Sequence, residues 1–90
     1  MSVEVRVDEE YNPRAGRSFL RVRSIDTKKG LESNILTIRS ASPQSISESL
    51  MSTACYLEED PPDELDPGSD KLKDLIEFYK ESAANVPGLK

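Results

Sequence analysis

Ninety residues make one domain, 1–90, with a modest core. The formal charge of −5 is unevenly placed: residues 1–40 carry eight Lys or Arg against six Asp or Glu, and residues 41–90 carry four against eleven. A single cysteine excludes an internal disulfide, and the absence of histidine removes the commonest general base, the Ser-His and Cys-His pairs and most zinc sites.

Three segments alternate with period two and predict half-buried strands. In the first, Ser2 to Asp8, Val3, Val5 and Val7 share one face, opposite Glu4, Arg6 and Asp8. The second runs from Ser18 to Ile25, with Leu20 and Val22 inward and Phe19, Arg21 and Arg23 outward. Asn34 to Ser40 forms the third, with Leu36 and Ile38 expected inward and Ile35, Thr37 and Arg39 outward. Turn residues join them at Asn12-Pro13-Arg14-Ala15-Gly16 and at Thr27-Lys28-Lys29-Gly30, where Gly30 supplies a positive φ.

The period then changes. Ile46, Leu50, Ala54 and Leu57 fall on one helical face, and Ser42 before Pro43 makes an N-cap and first-turn pair, with Ser45 and Glu48 as an alternative capping box. Pro61-Pro62 stops this helix, and an acidic, proline-rich connection spans 58–69. Ser69 or Asp70 caps a second helix whose apolar stripe is Leu72, Leu75, Ile76, Tyr79 and Ala83; Asn85, Pro87 and Gly88 end it. The expected fold is α+β, a three-stranded antiparallel sheet followed by two helices packed on one face (β-β-β-α-α).

Catalytic chemistry is sparse. The four glycines are too scattered for a phosphate-cradling loop, and a carboxylate pair would need a cleft larger than so small a domain provides. No cofactor, metal or catalytic residue is therefore assigned, and the chain is not expected to be an enzyme. Asp66, Gly68, Asp70, Asp74 and Glu77 imitate the spacing of a calcium loop, but Lys71 stands where its glycine belongs and Leu72 to Phe78 reads as helix. Cys55 falls at the edge of the first helix's apolar face and is expected to be a half-buried hydrophobe.

Two surfaces remain. Seven acids and no base lie between positions 58 and 70: Glu58, Glu59, Asp60, Asp63, Glu64, Asp66 and Asp70, stiffened by Pro61, Pro62 and Pro67. Such a run is a solvated loop or a docking surface for a basic partner, nucleic-acid machinery being a natural owner of one. The outer sheet face is expected to gather Phe19, Arg21, Arg23 and Arg39 with Arg6, Ile35 and Thr37. That set could bind single-stranded nucleic acid by phosphate contact and stacking, or be neutralised by Glu4 and Asp8.

In size and charge, though in no residue motif, the chain resembles phage and mobile-element inhibitors of host nucleic-acid machinery, anti-CRISPR proteins among them. The leading expectation is a non-catalytic protein-binding module, an inhibitor or accessory factor. The alternatives are nucleic-acid binding and a homo-oligomeric structural protein. No apolar run approaches the ~18 residues of a membrane span, and the charged segment Met1 to Arg17 has no signal-peptide h-region. A cytoplasmic location is expected, in the host cytoplasm if the protein is viral.

Overall fold

A computed structural model of the chain describes residues 3–89. Its elements are β1 (Val3–Asn12), β2 (Arg17–Asp26), β3 (Leu31–Ile38), α1 (Pro43–Glu59) and α2 (Asp70–Ala84). The strands form one antiparallel sheet in the order β1-β2-β3, and the helices follow, so the α+β architecture read from the periodicities is the one observed. Ser2, the expected start of the first strand, lies outside the described residues.

The two hairpins are built alike. Asn12 Oδ1 accepts from the Arg14 amide at 2.9 Å, and Asp26 Oδ1 accepts from the amides of Lys28 and Lys29 at 3.0 and 3.1 Å. Each turn ends on a glycine with φ near 70°, Gly16 and Gly30, a conformation that a side chain resists.

The turn length sets the register. Asp26 pairs with Leu31, so the inward face passes from even numbers in β2 to odd numbers in β3. Cross-strand partners share a face. Val5, Ser24 and Ser33 therefore lie in one row, and Val7, Val22 and Ile35 in the next. This corrects the expected third strand. Ile35 and Thr37 stand on the helix side with Val22 and Leu20, whereas Leu36 and Ile38 stand on the outer face beside Arg21 and Phe19. Hydropathy alone misleads there because Ile35, Leu36 and Ile38 make either alternation look apolar.

Both helices begin with a serine cap. Ser42 and Ser45 exchange side-chain hydrogen bonds with each other's backbone amides, both at 3.1 Å, with Pro43 at the first helical position. Ser45 thus completes the Ser42 box and does not open one with Glu48. Ser69 Oγ accepts from the Leu72 amide at 3.2 Å. α1 buries Ile46, Leu50, Ala54 and Leu57, the four positions its spacing indicates.

α2 departs from its expected stripe. Phe78, 1 % exposed, is its central core residue, with Leu72, Ser82 and Ala83 also buried and Leu75, Ile76 and Tyr79 half-buried. The reason is position: α2 touches both β1 and α1, so two of its sides are covered and the buried arc widens. The core joins Val3, Val5 and Val22 of the sheet to Ile46, Leu50, Phe78 and Ala83 of the helices, closed by Val86 beyond α2. Lys29 ties the second hairpin to α2 through Asp74 at 3.4 Å and Glu77 at 3.3 Å.

The molecule is elongated. Its Cα radius of gyration is 14.0 Å and its extents are 43 × 28 × 21 Å, against about 12 Å of radius for a compact chain of this length. Strands of ten residues reach about 34 Å, whereas a helix of fifteen spans about 22 Å. The sheet therefore overhangs the helices, and Asp8 to Arg17, with the first hairpin, are exposed.

Candidate functional site

The acidic residues gather where α1 meets α2. α1 stops before Pro61-Pro62 as expected but takes in the first two residues of the expected 58–69 connection, so Glu58 and Glu59 occupy its last turn and the connection itself runs over 60–69. Asp60 caps the helix, its amide donating to the Tyr56 carbonyl at 2.8 Å. Two turns follow: the Leu65 amide donates to the Pro62 carbonyl and the Ser69 amide to the Asp66 carbonyl, both at 3.0 Å. Pro61 and Leu65 are half-buried and anchor the segment. Asp63, Glu64 and Asp66 project from it exposed, and Asp70 opens α2.

The charge there is nearly uncompensated. Glu58 pairs with Lys80 of α2 at 2.9 Å, and this hydrogen bond and charge hold the Lys80 ammonium above its ordinary value. Glu59, Asp60, Asp63, Glu64, Asp66 and Asp70 have no ion pair among the described residues. Glu58, Glu59 and Asp60 also crowd the negative end of the α1 dipole, and no basic residue lies in that last turn. Asp70, at the positive end of α2, is the favourably placed member.

The outer sheet face differs from expectation in membership and charge. Phe19, Arg21 and Arg23 lie on it together with Arg6. Arg39 does not: it continues the inward parity of Thr37 past the end of β3 and meets Glu9 at 3.3 Å on the helix side of the overhang. Arg21 is engaged by Glu10 and by Asn34 Oδ1, the latter at 2.8 Å, and Arg6 pairs with Glu4 at 2.7 Å. Arg23 lies opposite Arg6 and forms no ion pair among the described residues. Arg17, which the strand pattern does not single out, stacks its guanidinium 5.5 Å from the Phe19 ring centroid. Leu36 and Ile38 complete this face, which is part apolar and part paired charge.

Other candidates resolve simply. Cys55 is exposed, because α1 buries one narrow stripe and position 55 turns away from it, beside Met51 and Tyr56. Asp74 and Glu77 of the imitation calcium loop sit on α2 and turn to Lys29. Among the described residues no group of three or more His, Cys, Asp or Glu side chains could hold a metal ion, and no helix is long and apolar enough to cross a membrane. Compared with family models, curated proteins and solved structures, the chain matches none.

Proposed function

We propose that the chain is a non-catalytic protein-binding module whose acidic end docks on a basic surface of a partner, of the kind that nucleic-acid machinery presents. The observation that carries this reading is the six carboxylates around the α1–α2 junction that lack an ion pair among the described residues. They stand on capped turns and helix ends, so little ordering entropy is lost on docking. Like charge so concentrated speeds encounter with a basic surface and makes the complex salt-sensitive. Inhibition of host nucleic-acid machinery, in the manner of phage and mobile-element proteins, remains an analogy of size and charge.

The quadruple reversal D60K/D63K/E64K/D66K tests this. Partners captured from the native host by the unaltered chain should be lost by the variant, and their capture should weaken as salt rises. Equal capture by both chains, with no salt dependence, overturns the reading.

Nucleic-acid binding on the outer face is a second reading, favoured by Arg17 over Phe19 and by Arg23, which forms no ion pair among the described residues. The acids on Arg6 and Arg21, and the departure of Arg39 to the helix side with Glu9, weigh against it. An anisotropy titration with a labelled single-stranded oligonucleotide that shows no binding at low salt removes it.

A further inference from the structure

The two edges of the sheet are chemically unlike. β1 carries Glu4, Arg6, Asp8, Glu9 and Glu10 along its length, the kind of charge that discourages a further strand from pairing. β3 carries one ionisable residue, Glu32, at its far end, and then Asn34, Ile35, Leu36, Thr37 and Ile38 in succession. It pairs with β2 alone, so a row of its backbone N–H and C=O groups faces outward along the edge. Leu36 and Ile38 are 52 % and 62 % exposed on the outer face. On the helix side, Ile35 is 37 % exposed beside a groove of about 100 Å³ between β3 and α1, floored by Val22, Ile46 and Leu50. Unfilled hydrogen bonds and apolar side chains on both faces thus coincide on one strand.

We infer that β3 is the pairing edge for a second copy of this chain. Two copies join antiparallel about a two-fold axis at Leu36 and merge their sheets into one of six strands. Self-pairing suits this edge because the residues that meet carry no charge, and a two-fold axis makes one patch complementary to itself. The register follows from the side chains. With Leu36 opposite Leu36 of the second copy, Ile38 lies opposite Asn34 and diagonal to Leu36, and Ile35 lies opposite Thr37 on the helix side. Shifting the axis to Ile35 would set Glu32 against Ile38, a charge against an apolar side chain.

The size is sufficient for a reversible dimer. The five β3 residues that meet, 34–38, span about 17 Å and with two layers about 10 Å apart offer on the order of 350 Å² per copy, or about 700 Å² in all, the size of a weak, transient contact. Each copy carries a net charge of −5, so the copies repel at long range. Added salt screens that repulsion and leaves the apolar contact intact, so this association strengthens with salt, opposite to docking through the acidic end. The inference stands on a different surface from the proposed function and does not depend on it.

Sedimentation and cross-linking test it. At about 100 μM and about 0.15 M salt the native chain should sediment at twice its monomer mass, and more completely at higher salt. L36K sets two lysines face to face and should weaken dimerisation by more than about tenfold. I38K, at a still more exposed position, should weaken it as well, and serves if L36K folds poorly. In a C55S background, L36C should cross-link to itself with a short bis-maleimide. N34C, whose mate lies four residues along the partner strand, should not. D60K/D63K/E64K/D66K should still dimerise. A native chain that stays monomeric, a dimer indifferent to both lysines, or cross-linking at 34 in preference to 36 overturns the inference.

Discussion

Asp26 is 2 % exposed, yet its carboxylate meets no cation among the described residues; backbone amides satisfy it. Hydrogen bonds to a charged group contribute about 1.5–3 kcal/mol, so D26A should lose about that much stability in urea denaturation. D26N keeps the Oδ1 acceptor and should lose less than about 1 kcal/mol, because Asn12 already does the same work in the first hairpin. The matching spacing of Asn12 to Gly16 and of Asp26 to Gly30 is visible in the sequence, as are the caps Ser42 and Ser69. Gly88 is a different case. A stop signal after α2 gives no hint that the chain folds back until a Cβ at Gly88 would lie 3.1 Å from Pro43 Cγ, or that Val86 is buried in the core.

Among the elements, α1 is a helix whose last turn works against its own dipole. E59K replaces an anion at the negative end with a cation and should stabilise the protein by about 0.3–1 kcal/mol at low ionic strength, measured by urea denaturation. Lys29 couples the second hairpin to α2. Desolvation pulls its ammonium down, but hydrogen bonds to Glu77 and Asp74 and their charges outweigh this and leave it above its ordinary value. A raised lysine contributes stability that is fully present below the unfolded value of about 10.4 and is lost as pH rises through the folded value. K29M should therefore lower the Tm at neutral pH, and the gap from the native chain should close in strongly alkaline solution. The number and order of the strands were legible from alternation, but the span of β3, Leu31–Ile38 where Asn34 to Ser40 was expected, and its facing were not: both depend on pairing Asp26 with Leu31 across a four-residue turn. Phe78 was missed for a related reason, since a single apolar stripe cannot describe a helix covered on two sides.

Over the whole molecule, charge and shape divide the surface into distinct regions. The acids collect at the α1–α2 junction, and the outer sheet face mixes paired arginines with Leu36 and Ile38. The uncovered first hairpin extends past the helix layer. The acidic run could be read directly from the sequence because it needs no folding to exist. Its near-complete lack of ion pairs among the described residues could not, since Lys80 reaches Glu58 only through helix packing. The outer face was half legible: Phe19, Arg21 and Arg23 follow from β2 alone, whereas the loss of Arg39 and the gain of Leu36 and Ile38 depend on the neighbouring strand.

The unlike edges of the sheet also bear on how far assembly can proceed. A sheet receptive on both sides adds copies without limit and grows into filaments. Here, once the β3 edges are joined, each outer margin of the enlarged sheet is a β1 strand studded with Glu4, Arg6, Asp8, Glu9 and Glu10. Growth is capped after a single addition, so the exposed leucine and isoleucine of one strand need not make the protein prone to fibre formation.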